Sequence, residues 1–560
     1  HQHQHQHQHT RPQASTMGSM GMPYGLQAML KEGHKHFSGV EEAVMKSVEA
    51  CKAIAKCTRT SLGPMGLNKI IVNHLNKVYI TSDAGTILTE LEVQHPAAKL
   101  LVHAVKAQQQ EVGDGANMVM SFGGELLLKA ESLLRDGLHP TEVAEGYVKA
   151  SQKALKLLED IVITDSKSLD FNNVDEIAER LKGALKSKQN GYEDYLAPLV
   201  AQACVDICPD NRNNFNVDNV RVSKLVGGFV DQSQIIQGIV IRRNVEGTVS
   251  CVENAPVAVF SQGVDTSSTE TKGTVLIKSA QELKDYHKSE EKELEQIIKG
   301  IADLGTKVIV SGSSIGEMAM HFIERYKMMA IKIPSKFELR RVCRATGAQA
   351  IPKFIVPGKE QLGMAQKLEA IEIGGSKVTV IKQDRRVGKV ATIILRGATD
   401  HLMDDMERAI DDGVNTFKAL CKDARILPAG GATELALSKK LLEYGRKQTG
   451  LEQYAIQKFA EALEVIPCTL AENAGMNTTD TMSALRAQHA QGNGSIGIDS
   501  VTSEMTDLGK QSITDLFYTK YWAIKFAADA ATTVLRVDQI IMAKQAGGPK
   551  RPQGQHWDDQ

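Results

Sequence analysis

Apolar positions recur three and four residues apart over residues 41–160, the period of helices that bury one face. Pro96 opens one such helix, with Leu100, Leu101, Ala104 and Val105 on its apolar side. Met118, Val119, Phe122, Leu126, Ala130, Leu133 and Leu134 mark the next, which Gly137 ends. Pro140 and Thr141 begin a third, continued by Val143, Tyr147, Ala154 and Leu158. One hairpin interrupts the series: KIIVNH and VYITSD, joined across Leu75-Asn76-Lys77. Between about 217 and 370 the period changes. Short β-rich runs (VAVFS from 257, KVIVSG from 307, MMAIKI from 328) alternate with charged amphipathic stretches, the longest from Ser279 to Leu304. That alternation predicts an α/β domain. After VTVIK and ATIILRG helical spacing returns from Met403 to Ala543, with strong helices over 451–473, kinked at Pro467, and over 518–542. A helix-rich stretch at each end of the chain around an α/β insert predicts a discontinuous domain whose two parts pack together while the middle projects outward. No short internal repeat suggests a solenoid.

Size and composition narrow the function classes. At roughly 100–200 residues per domain, 560 residues make about three or four domains. Hydrophobic residues at 42% and charged residues at 24% are ordinary globular usage, against a largely disordered chain. Lys plus Arg total 66 against 67 Asp plus Glu, so nothing draws the whole chain to nucleic acid or anionic lipid. With 5% aromatics, stacking platforms for single strands are scarce, and no apolar run reaches the length of a membrane span. The expectation is a soluble protein with neither nucleic-acid nor membrane partners. Eight scattered cysteines read as buried thiols rather than a disulfide framework or a zinc site, which with the lack of a secretory leader predicts the cytosol. The opening HQHQHQHQHT reads as an affinity tag and is set apart from the fold, and residues 1–25 and 545–560, rich in Gly, Pro and Gln, read as mobile tails.

Four glycine-containing segments, all in the flanking helical regions, are candidates for chemistry. Ser61-Leu62-Gly63-Pro64-Met65-Gly66 imposes a tight turn whose amides either face an anion or simply close a loop; no Walker A spacing occurs in the chain. Gly113-Asp114-Gly115-Ala116-Asn117 precedes the Met118 helix, where Asp114 is either a Mg²⁺ ligand beside phosphate-binding amides or an N-cap. Asp83 ends the hairpin. The fourth region runs through Leu395-Arg396-Gly397, then Glu407 to Gly413, then Ala429-Gly430-Gly431-Ala432-Thr433-Glu434, and its acids read equally as a solvated helix face.

Taken in this order, with Leu470-Ala471-Glu472-Asn473-Ala474-Gly475 and Val534-Leu535-Arg536-Val537-Asp538 near the end, the motifs resemble the group II chaperonins over about 29–544. The resemblance implies a mixed α and β, three-domain chaperonin fold. A mainly helical equatorial domain is split over 26–145 and 406–544, and a small intermediate domain over 146–216 and 370–405. An α/β apical domain spans 217–369, with a helical protrusion at about 268–299. It implies an ATPase coupled to protein folding, using ATP/ADP and Mg²⁺, with seven paralogous partners in two stacked eight-membered rings. Unfolded clients such as actin and tubulin and prefoldin-type co-chaperones complete the implied partners.

The same resemblance assigns roles. Leu62, Gly63 and Pro64 line the nucleotide, Asp114 binds Mg²⁺, and Gly115, Ala116, Asn117 and Met118 sit over the phosphates. Lys186, Ser187 and Lys188 form a nucleotide-sensing loop with Lys188 near the γ-phosphate. Gly430 and Gly431 approach base and ribose, Asp499 accepts from ribose or base, and Asp83 and Asp412 position and activate water. Two departures stand out: Ala116 and Asn117 replace threonines usual in the family, and Ala429 breaks a run of three glycines. Rival readings keep the ATP site in a freestanding ATPase or kinase, or make the chain a ring member whose own hydrolysis is dispensable.

Overall fold

In the computed structural model, helix Pro96–Glu111 starts on its proline and helix Pro140–Leu158 on a capping box between His139 and Glu142. Helix Ala116–Arg135 lies between them and ends before Gly137, whose φ of 95° only glycine takes up readily. Helix Phe517–Leu535, from the other end of the chain, packs against all three, and helix Glu452–Leu463 against the last two. Phe459 of that helix meets Phe122 edge-on at 5.3 Å and Tyr147 at 5.8 Å between ring centroids. The buried Tyr147 hydroxyl donates to the Leu126 carbonyl at 2.7 Å, so its polar end is satisfied inside an apolar core.

The structure describes residues 35–37, 40–163, 169–265, 278–383, 390–511 and 513–542. The tag, both tails and the beginning of the expected protrusion, 266–277, lie outside the described residues. Its charged part is helix Ala280–Asp303, N-capped by Ser279. Residues 47–536 form one compact unit. A second unit, drawn from the two chain ends, holds an antiparallel pair of short strands, Lys35–Phe37 with Ile540–Met542.

A nine-stranded mixed sheet occupies the middle of the chain. Its order runs Val220–Val226, Ala391–Gly397, Gln234–Ile241, Ser376–Lys382, Gly363–Ile373, Cys251–Phe260, Val308–Ser311 and Met329–Lys332, with Ala350–Ile351 beside Cys251–Phe260. Strands 251–260, 308–311 and 329–332 run parallel, and residues 255–260 with the other two strands are nearly continuous apolar runs, as strands covered on both faces are. Helices Val174–Lys188, Glu193–Ile207 and Asp400–Lys422 share a further core with strand 391–397, through Leu185, Val200, Ile410, Phe417 and Ile393.

Five expectations need correction, the first being the cysteines: Cys51 and Cys204 are buried, whereas Cys57 and Cys251 are exposed and the other four half-buried. Leu100 is exposed, and the buried stripe of its helix is Ala97, Leu101, Val105 and Gln108. The stretch 451–473 is two helices, Glu452–Leu463 and Val465–Asn473, broken at Glu464. Pro467 sits in the first turn of the second, where its missing N–H costs nothing. The last helix stops at Leu535, and Ile540–Met542 is a strand because a partner strand takes up its backbone groups. Lys186, Ser187 and Lys188 are the final turn of helix 174–188 rather than a loop, which places ammonium groups where a helix C-terminus favours them.

Candidate functional site

The hairpin Lys69–Val72 with Val78–Thr81 closes over Asn73, whose side-chain oxygen accepts from the amides of Leu75 and Lys77, and over Asn76 at φ 57°. It delivers Asp83 to the N-terminus of helix Ala84–Glu90. There Asp83 Oδ2 accepts from the Thr86 amide at 2.9 Å and the Thr86 hydroxyl at 2.8 Å. The other carboxylate oxygen, Oδ1, receives Lys188 Nζ at 2.6 Å, and Asp412 from the middle of helix 400–422 stands 3.4 Å from the same ammonium. Three segments far apart in sequence thus meet at one buried cation.

Beside this cluster lies a cleft lined by Leu62, Gly63, Pro64, Asp114, Gly115, Ala116, Asn117, Met118, Lys186, Ser187, Lys188, Gly430, Gly431 and Asp499. Every expected binding residue therefore borders one cavity, while Asp83 and Asp412 stand behind Lys188 rather than on the wall. Asp114 is not the cap of helix 116–135. Gly115 is, at φ 84° with no side-chain cap, and Asp114 Oδ1 accepts from the Gly115 amide at 2.7 Å. The first helical amides consequently border the cleft without an acceptor among the described residues, the arrangement that receives phosphate oxygens. Helix Ala432–Arg446 also starts without a side-chain cap, on Gly431 at φ 80°, but its first amide, Ala432 N–H, donates to the Ala429 carbonyl at 3.1 Å.

The two departures resolve differently. Positive φ falls on Gly430 and Gly431 and not on Ala429, so the backbone accepts alanine there. Asn117 is engaged inside the protein, its amide donating to the Thr58 carbonyl at 3.0 Å while its oxygen accepts from Ser121 Oγ at 3.1 Å. A β-carbon on Gly431 would lie 2.5 Å from Pro467 Cβ. Gly431→Ala is expected to lose about 1–2 kcal/mol from the left-handed backbone alone, and more from the clash. Thermal unfolding and nucleotide titration of the variant check this; wild-type values for both would refute it.

Charge in the site is unbalanced. Burial pushes the Asp83 carboxyl up, but the Lys188 charge and the hydrogen bonds from Lys188 and Thr86 outweigh it and hold Asp83 well below the usual carboxylate range. Burial pushes Asp412 well above that range; Lys188 pulls it back in part, and the Asp83 and Asp114 charges add to the rise. Asp114 is likewise raised by burial against the pull of Lys188. Lys188 keeps its proton because Asp83 and Asp412 override its own burial. One ammonium among the buried Asp83 and Asp412 and the half-buried Asp114 is a donor set that accepts a further cation. Among the described residues no group of three His, Cys, Asp or Glu could hold a metal unaided. Mg²⁺ fits that arrangement, since it takes one or two carboxylates and fills its shell from phosphates and water.

Several lining residues carried no motif. Lys520 pairs with the buried Glu434 and with Asp515, at 3.0 Å from the latter, and burial of its ammonium is outweighed by those two charges. Charged residues inside the aromatic run TDLFYTKYW were the available signal. Ile466, Leu470, Ile498 and Ile513 make an apolar wall that spacing alone could not assemble.

A helix-rich body made from both chain ends, an inserted mixed sheet and an anion-ready cleft between paired glycine turns define one class of protein. The sequence model of the TCP-1/cpn60 chaperonin family matches residues 54–545, and the chain belongs to that family. Its relatives include T-complex protein 1 subunit theta of Arabidopsis thaliana, 53% identical over 96% of this chain and 98% of that protein. The subunits theta of Gallus gallus and Homo sapiens are 50% and 49% identical over the same shares.

Proposed function

We propose that the chain is an ATP-hydrolysing subunit of a cytosolic, hetero-oligomeric double-ring chaperonin that closes over unfolded clients such as actin and tubulin. The observation that carries this reading is the convergence of Asp83, Asp412 and Lys188 behind two uncapped helix N-termini. In this reading the amides of residues 115–118 hold phosphate oxygens, and Gly63, Gly430 and Gly431 let the backbone approach the nucleotide. The apolar wall takes the base, and Asp499 takes the ribose or base. Mg²⁺, bound by Asp114 together with the phosphates, neutralises charge on the transferring group. Asp412, whose raised proton affinity suits a base, accepts a proton from the attacking water, while Asp83 fixes Lys188 at the γ-phosphate end. Seven paralogous subunits per eight-membered ring and prefoldin-type helpers complete the assembly. In this reading the domains take the boundaries that the resemblance implies, with 146–216 and 370–405 as the hinge between nucleotide and client.

Two measurements test this reading. The native particle containing the chain is expected near a megadalton, with paralogous subunits, closing on ATP and Mg²⁺; a stable monomer hydrolysing ATP alone would overturn it. The helix-start position Ala116 lacks the hydroxyl usual in the family. Ala116→Thr is expected to tighten ATP binding about tenfold through one added charge-assisted hydrogen bond, and equal affinities by titration would reject that role.

A further inference from the structure

A second polar cavity opens away from the cleft. It forms where strands Val220–Val226, Gln234–Ile241 and Ala391–Gly397 meet helices Lys336–Thr346 and Asp400–Lys422. Two atoms of its lining residues are buried without a hydrogen-bond partner among the described residues: Ser223 Oγ, on a side chain 7% exposed, and Arg221 Nε. A buried hydroxyl and a buried guanidinium N–H left unpaired are costly, and each is satisfied by an acceptor oxygen entering the cavity.

The surrounding charges specify that acceptor. Arg242 and Arg341 line the same cavity, and neither makes an ion pair through its guanidinium among the described residues. An adjoining cavity adds Arg243 to Arg242. Burial and the Arg221 charge both work against the Arg341 cation, opposed only in part by Glu338 and Asp218, so like charges are held close together here. Three carboxylates also face the space. Glu407 is taken by Lys224 at 2.6 Å, Asp411 is pushed up by burial and the Glu407 charge against the pull of Arg221 and Lys224, and Glu338 lies on the same helix as Arg341. Three arginines therefore line the cavity with Arg243 next to it, Arg221 also reaching Asp218 at 3.6 Å, against Asp411 and Glu338, neither of which makes an ion pair among the described residues. Planar guanidinium groups converging with a hydroxyl match the oxygens of a tetrahedral dianion better than a single carboxylate.

We propose that Arg221, Ser223, Arg242 and Arg341 form a binding site for a small phosphate-bearing anion, separate from the glycine-turn cleft. The site stands whether or not the cleft turns over nucleotide. It joins the helix bearing Arg341 to the helix that carries Asp411 beside Asp412, so an anion there ties the sheet to the element that reaches the cleft.

Hydrogen exchange on the full-length chain, in the assembly in which it is purified, tests the site with sodium phosphate or sodium pyrophosphate against sodium chloride at equal ionic strength. Phosphate is expected to slow exchange over 220–226 and 336–346. Arg341→Gln is expected to need about tenfold more phosphate for the same protection, the loss of one charge-assisted contact. Arg340→Gln, the same charge change on an exposed neighbour, is expected to behave as wild type. Ser223→Ala provides a second variant should Arg341→Gln exchange faster than wild type in chloride, and it too is expected to weaken protection. Stronger protection by pyrophosphate assigns the site to a diphosphate, and equal or weaker protection to a monophosphate. Phosphate acting no better than chloride, or Arg340→Gln and Arg341→Gln weakening it equally, would overturn the proposal. Exchange over 114–118 reports the cleft separately.

Discussion

Replacing Asp412 by alanine is expected to leave ATP binding to this chain intact and to slow the proposed hydrolysis about 10²–10⁴-fold. Asp412 lies behind Lys188 rather than against the cleft wall, so its loss removes no contact with the nucleotide body. What it removes is the one carboxylate of the cluster that both lacks a hydrogen-bonded cap and holds a raised proton affinity. Asp83, pinned by Thr86 and Lys188, is held ionised and is the poorer base. The sign of the pH dependence follows. A base must be deprotonated, so turnover falls as acid titrates Asp412, and the acid limb lies above the ordinary aspartate range. The measurement is single-turnover hydrolysis in a particle where only this subunit's site is competent. Wild-type turnover in Asp412→Ala, or an acid limb at the ordinary position, would remove Asp412 from the mechanism.

Lys188→Met destabilises the protein by about 3–5 kcal/mol, the usual consequence of stripping the partner from a buried ion pair. The methionine chain fills the same volume, so packing against the helix end is preserved and the loss is electrostatic. Asp83 and Asp412 then repel each other with no cation between them. Asp83→Asn introduced into the same chain is expected to restore part of the loss, because an amide can still take the Thr86 contacts without adding charge. Asp83 also supplies a pH signature. Its folded proton affinity is depressed, so the stability it contributes is present above the ordinary carboxylate range and is lost as pH falls through the folded value. Chemical denaturation of wild type, single and double variants checks all three, and an unchanged midpoint for Lys188→Met would refute the buried triad.

These two results bear on different questions. Loss of turnover without loss of binding separates water activation from nucleotide capture. Loss of stability on removing Lys188 would show that the same residues hold helix 174–188, helix 400–422 and the 69–81 hairpin together, which would couple chemistry to any hinge in those elements.

Much of this was legible in the sequence. The helices over 96–158 follow from apolar period, proline starts and a glycine stop, each acting within one turn of chain. The wall of the cleft was readable too, because Gly63, Gly115, Gly430 and Gly431 occupy backbone conformations that other residues resist. Less legible was strand Gly363–Ile373, whose GMAQKLEAIEI is made mostly of good helix formers. It is a strand because strands 376–382 and 251–260 pair with it on both sides. Strands 220–226 and 234–241, VRVSKLV and QIIQGIVI, are rich in β-branched residues, and it is pairing with strand 391–397 that fixes their place.

The sequence by itself determined the helical ends, the turn glycines and the family, since helices satisfy their backbone within four residues and a left-handed turn selects its own residue. Only the tertiary structure decided how the strands pair, that 363–373 is one of them, that Asp83 and Asp412 share Lys188, and which way each carboxylate's proton affinity shifts. Strand pairing and proton affinity both depend on what burial brings alongside, and burial is settled only when the whole chain has packed.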